Sequence, residues 1–165
     1  MLSQLHADID TRVQTIIHQH SDWLCRKGCD GCCKKLAEIP TLAKAEWLLL
    51  QEGLSLLPEQ QLLDIGNRIA ALSKQTVRPL TCPMLDESVG TCKVYGYRPV
   101  ACRTYGFYVQ RDKGLYCKEI EARVAAGDWA TVVWGNHEAI DRQLNALGDS
   151  RDLTEWFALW QNNAI

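Results

Sequence analysis

Four cysteines fall within nine residues, Cys25, Cys29, Cys32 and Cys33, and no other feature restricts this chain as strongly. A metal needs thiolates that converge on one point, and a Cys-x-x-Cys step supplies them by turning the backbone sharply. Gly31 permits that turn inside Cys29-Asp30-Gly31-Cys32. Cys25 and Cys29 stand four apart, so they share a face if a helix runs this far, and Gly28 lets the chain leave the helix between them. Four more cysteines follow at wide intervals: Cys82 (before Pro83), Cys92, Cys102 and Cys117. Their spacing suggests successive loops, each returning to a common centre.

Eight cysteines is an even number, so disulfides have to be weighed against metal binding. The segment from Met1 to Ile17 carries His6, Asp8, Asp10 and Arg12, whereas a secretory signal needs a basic start and an unbroken apolar stretch. The expected compartment is therefore the reducing cytoplasm, where thiols stay free to bind metal. A length of 165 residues suffices for one domain with its own core, so disulfide staples are not required. A single domain over 1–165 is expected, with the cysteine module at about 25–117. The formal charge of −2, with no basic stripe, gives no reason to expect nucleic acid as a partner. The longest apolar run, Trp47 to Leu50, is far short of the roughly 20 residues a bilayer helix needs, so no membrane span is expected.

The surrounding pattern predicts a mainly α fold: a small helical domain around an irregular, cysteine-rich metal-binding centre, with room for one short β-hairpin. Leu2, Leu5, Ile9, Val13, Ile16 and Ile17 recur at helical spacing, Leu24 continues the stripe, and this helix should stop near Gly28. His18 and His20, two apart, point to different sides of it and read as surface residues. A second helix is expected over 41–52, with Gly53 just past its end. Pro58 opens a third, carrying Leu62, Ile65, Ile69 and Leu72 and ending before Arg78-Pro79. Helical periodicity then disappears over 76–117, where prolines, glycines, four cysteines and four tyrosines crowd together. A hairpin pairing Tyr105–Gln110 with 115–117 fits the turn at 112–114. Helices return at Lys118 to Ala126, after a cap at Asn136, and after a capping box at Asp152-Leu153-Thr154-Glu155. The tryptophans Trp129, Trp134, Trp156 and Trp160 read as core.

Adjacent side chains diverge by about 100° on a helix and oppose each other on a strand, so Cys32 and Cys33 are expected to serve different centres. Four ligands saturate a tetrahedral zinc or a cubane cluster, which makes eight thiols enough for two sites or one binuclear cluster. A divalent zinc with four thiolates carries net negative charge, so nearby arginines should offset it. Arg98 and Arg103, on either side of Cys102, are the expected hydrogen-bonding partners around the metal. Tyr95, Tyr105, Tyr108 and Tyr116 are expected to insulate it from water.

Cys25-x3-Cys29-x2-Cys32-Cys33, Cys82-Pro83 and Gly90-x-Cys92-x2-Tyr95-x2-Arg98-Pro99-x2-Cys102-Arg103 together resemble the YkgJ-like cysteine-cluster family of zinc- or iron-chelating domains. The resemblance covers roughly residues 25–117. It implies that all eight cysteines correspond to the family's cysteines, that Tyr95, Arg98 and Arg103 belong to the same motif, and that the protein binds zinc or iron in the cytoplasm. The family's own description leaves the metal open, and a 4Fe–4S cluster is one form the iron could take. A similar module occurs in flagellin lysine methylases. Three functions follow as expectations: a metal-binding protein holding a surface for an unidentified protein partner, a redox or sensor iron–sulfur protein, or an accessory module for a modifying enzyme such as a protein methylase. No catalytic constellation is found: Gly-x-Ser-x-Gly, a phosphate loop and His-Glu-x-x-His are all missing. Cys25-x3-Cys29-x2-Cys32 has radical SAM spacing, but the βα alternation of that barrel is missing from the chain.

Overall fold

The computed structural model describes residues 1–111 and 117–162. Among them are seven α-helices and six strands of two or three residues each, which makes the fold mainly α. The backbone divides into two compact units. One comprises Met1–Lys27 with Val100–Leu147, the other Gly28–Pro99 with Gly148–Ile165.

In the first unit, the apolar stripe builds α1 (Leu2–Gln19) and buries Leu5, Ile9 and Ile16. The helix stops well before Gly28. From His20 onward the chain turns so that Trp23 enters an aromatic cluster, with ring centroids 4.5 Å from Trp129, 5.5 Å from Trp134 and 5.6 Å from Phe107. Asp22 fixes that turn by accepting from Trp129 Nε1 at 3.1 Å and from Arg123 at 2.8 Å. Burying aromatic surface outweighs the helical continuation that Leu24 suggested. The one-turn helix α4 (Val100–Thr104) packs against α1. Strand β4 (Tyr108–Val109) runs parallel to β5 (Gly135–Asn136), and any Cβ on Gly135 would fall 2.3 Å from the Tyr108 ring. For the expected hairpin, the turn at 112–114 and residues 115–116 of its second arm lie outside the described residues. Helices α5 (Lys118–Ala125) and α6 (His137–Asn145) form where expected, and Asn136 Oδ1 caps α6 by accepting from the amides of Glu138 and Ala139.

The second unit is framed by β1 (Thr41–Ala43), α2 (Lys44–Ser55), α3 (Glu59–Leu72) and α7 (Leu153–Gln161). Its core contains Leu42, Trp47, Leu50, Leu54, Ile65, Ile69, Leu80, Leu153 and Trp156. Thr41 to Ala43 are extended, not helical, because they pair antiparallel with β6 (Ser150–Asp152). Asp152 then caps α7 as its capping box predicted. Pro58 opens α3 as expected. Between Leu72 and Pro99 the chain is irregular. It holds a bridge residue at Leu80, a two-residue hairpin, β2 (Leu85–Asp86) with β3 (Thr91–Cys92), and a 3₁₀ turn at Tyr95–Tyr97.

Gly53, expected beyond the end of α2, lies inside it. A Cβ there would come within 2.5 Å of Tyr97, so the glycine lets the 3₁₀ turn after Cys92 lie against the helix. Replacing a mid-helix glycine by alanine ordinarily stabilises by about 0.5–1 kcal/mol. Here Gly53→Ala should instead destabilise by about 1–3 kcal/mol through overpacking. Urea denaturation measures the sign directly.

His6 is buried on α1 and its Nε2 has no hydrogen-bond partner among the described residues. Burial, then the charge of Arg103, against an opposing pull from Asp10, lowers its pKa from 6.5 to about 4. The folded state therefore holds fewer protons than the unfolded state between those values, so stability falls as the pH drops from 6.5 towards 4. The loss attributable to His6 is at most about 3 kcal/mol. Metal-free His6→Leu protein should show a shallower stability decline over that range than metal-free wild type in denaturant titrations.

Candidate metal centre

Five cysteines belong to the second unit, and four of them, Cys32, Cys33, Cys82 and Cys92, lie near one another. The segment 31–34 is a tight turn, and this gives Cys32 and Cys33 an unexpected relation: their Sγ atoms are 4.0 Å apart. The divergence of neighbouring side chains holds for regular helix and strand, and a turn follows neither rule. The Cys82 amide donates to the Cys33 carbonyl at 2.7 Å, and three residues further on Leu36 and Leu80 form an antiparallel bridge. That short ladder brings the Cys82 thiol near enough to Cys33 to act on its titration. Cys92 pairs in register with Leu85, whose amide donates to the Cys82 carbonyl at 3.1 Å. Cys92 thereby stands close enough to interact electrostatically with Cys32 and Cys33.

The electrostatics follow from that crowding. Donation to Cys33, then burial, then the nearby Cys33 charge, drives the Cys32 pKa far up. At Cys33 the bond from Cys32 pulls downward, but the neighbouring Cys82 thiol, burial and the charge of nearby thiols outweigh it and push the pKa up to about 12. Cys92 is raised by burial, with Arg98 pulling the other way. Gathered without a cation, Cys32, Cys33 and Cys92 therefore keep their protons. As placed, no three His, Cys, Asp or Glu side chains among the described residues close onto a single coordination point. The donor set is nonetheless the one a soft, tetrahedral ion takes.

The rim is fixed by three cations, of which the sequence had singled out Arg98 alone. Arg68 of α3 donates to the Leu85 carbonyl at 3.0 Å and to the Cys82 carbonyl at 3.1 Å. Lys93 pairs with Asp86 at 2.8 Å and, with Ser88, lowers that carboxyl to about 2. Arg98 lies over the Tyr95 ring at 3.5 Å and donates to the Tyr95 carbonyl. Cys29 is exposed, in a loop where Asp30 pairs with Lys34 at 2.6 Å and where any Cβ on Gly90 would sit 3.3 Å from the Gly28 carbonyl.

In the first unit, Cys25 points its thiol at the Tyr105 carbonyl, 3.6 Å away. Cys117 donates to Glu119 at 3.4 Å, and burial raises its pKa. Cys102 is exposed on α4. Arg103, expected beside a thiolate, forms an ion pair with Asp10 at 2.8 Å. Tyr108 is buried in the unit's core, and Tyr116 lies outside the described residues.

A compact cysteine run joined by backbone pairing to a dispersed, hairpin-borne pair defines a cysteine-cluster chelating domain. The chain belongs to the CxxCxxCC family, described as a "putative zinc- or iron-chelating domain", whose model matches residues 24–124. Comparison with curated proteins and with solved structures returned no match. No helix among the described residues is long and apolar enough to cross a membrane.

The exposed thiols and the crowded ones should differ in reactivity, because the thiolate is the nucleophile and raised pKa values suppress it. In metal-free protein at neutral pH, iodoacetamide should label Cys29 and Cys102 first and Cys32, Cys33 and Cys92 last. Time-resolved peptide mass spectrometry reads the order.

Proposed function

We propose that Cys32, Cys33, Cys82 and Cys92 hold one zinc or iron ion as a tetrathiolate centre that orders the segment between Leu72 and Pro99. The observation that carries this reading is the 4.0 Å separation of the Cys32 and Cys33 Sγ atoms, with Cys82 and Cys92 near enough to act electrostatically on Cys33. Two thiolates bound at about 2.3 Å to one tetrahedral ion lie about 3.8 Å apart, so the pair is within a few tenths of an ångström of sharing a metal. A cubane assigns one cysteine to each iron and spreads its four thiolates around a much wider core, which suits such a pair poorly. Binding exchanges the thiol protons for a divalent ion, whose charge holds together thiolates that would otherwise repel one another. The metal supplies folding free energy to a stretch with little regular hydrogen bonding of its own.

Four thiolates would saturate a tetrahedral ion and leave no position for a substrate, so the reading is of a structural metal centre. Such a centre holds a surface for a protein partner and does not perform a reaction. Cys25, Cys29, Cys102 and Cys117 are not needed to saturate it.

Anaerobic purification should give about one metal ion per chain and no acid-labile sulfide. Cys33→Ser and Cys82→Ser should each lower the metal content severalfold, while Cys102→Ser leaves it unchanged. Sulfide in proportion to iron would establish a cluster instead and end the single-ion reading.

A further inference from the structure

The four proposed ligands sit on two pieces of chain, and the second piece has little regular structure to hold it. Cys82 and Cys92 belong to a turn and a two-residue hairpin. Within that turn the Leu85 amide donates to the Cys82 carbonyl, and the Lys93 amide donates to the Met84 carbonyl at 2.9 Å. These bonds set the local shape but do not tie it to a helix. Arg68 does. It projects from the middle of α3, whose Ile65, Ile69 and Leu72 are buried in the core of the same unit. One arm of its guanidinium reaches the carbonyl of Cys82 itself, and the other reaches the carbonyl of Leu85, the residue paired with Cys92. A single rigid fork thus spans both ends of the turn that separates the two thiols in space. Its side chain is 28% exposed, while its ion pairs with Asp64 and Glu87, at 3.9 and 3.8 Å, are long and involve exposed carboxylates. The short bonds are the ones to the turn.

We propose that Arg68 is a positioning residue for the metal centre, presetting Cys82 and Cys92 for coordination by clamping the carbonyls of Cys82 and Leu85 to α3. The proposal rests on the single-ion reading above. The planar guanidinium fork is suited to two carbonyls at once, whereas a lysine ammonium is a point charge that reaches one. Hydrogen bonds that orient ligands typically contribute 10–100-fold in metal affinity.

The test uses the full-length chain and Co²⁺ as the probe, with affinity read by chelator competition and geometry by the visible ligand-field and thiolate charge-transfer bands. Metal-free melting temperatures are recorded alongside. Arg68→Gln and Arg68→Lys are both expected to weaken Co²⁺ binding 10–100-fold and to shift the ligand-field bands, with Arg68→Lys melting within a few degrees of wild type when metal-free. Should Arg68→Gln fail to fold, Arg68→Lys decides alone. Wild-type affinity and spectrum in either folded variant overturn the proposal. So does a loss of affinity with an unshifted spectrum that merely follows a loss of metal-free stability, since that is what general destabilisation produces. Wild-type protein that gives no thiolate–cobalt band refutes the single-ion reading itself, a result separate from indifference to Arg68.

Discussion

A short ladder of three backbone hydrogen bonds joins the two halves of the thiol cluster: the Cys82 amide donates to the Cys33 carbonyl at 2.7 Å, and Leu36 and Leu80 exchange amide–carbonyl bonds at 3.0 and 2.8 Å. Without it the compact run at 29–33 and the dispersed pair at 82 and 92 would be separate loops. With it, thiols distant in sequence share one small volume. That arrangement is unfavourable by itself, since each thiolate formed would be partly desolvated and would repel its neighbours. The raised pKa values of Cys32, Cys33 and Cys92 express that cost as retained protons. A group of acids that resists ionisation until a cation arrives is a site where metal binding and local order are one equilibrium.

The hydrophobic core of the same unit makes the crowding tolerable. Leu80, Met84 and Val94 are buried on either side of the thiol-bearing residues, and Cys82 and Cys92 pack against that core. Tyr97 lies against α2 at Gly53, which fixes the chain just after Cys92. Apolar burial therefore anchors the segment at points that alternate with the ligands. The stretch is irregular in secondary structure yet pinned in place, and its turns are free to present sulfur instead of continuing a ladder.

Local signals were legible in the sequence, and tertiary ones were not. Asn136, the capping box at Asp152 and the stripe of α3 each act within a turn or two, and each forms as read. The end of α1 was misread because Asp22 and Trp23 answer to Trp129 and Arg123, about a hundred residues away. Gly53 looked like a helix stop because the reason for its missing side chain is Tyr97. The cysteines announced a metal site by number and spacing, but their grouping depends on a turn whose geometry no periodicity rule describes. Arg68 carried no signal at all. It stands on a helix outside every cysteine motif, and only the folded chain brings it to the Cys82 carbonyl.

The placement of cations around the cluster follows from the same distinction. Sequence proximity to Cys102 put Arg98 and Arg103 together as partners of thiolates, yet the fold separates their tasks. Arg103 is engaged by Asp10 of α1. Arg98 acts on Cys92, where its charge opposes the upward shift of the thiol. Lys93 is largely answered by Asp86. A divalent ion with four thiolates carries two net negative charges. Arg98 brings one positive charge to the cluster, whereas the Arg68 guanidinium bonds the Cys82 and Leu85 carbonyls and is shared with Asp64 and Glu87.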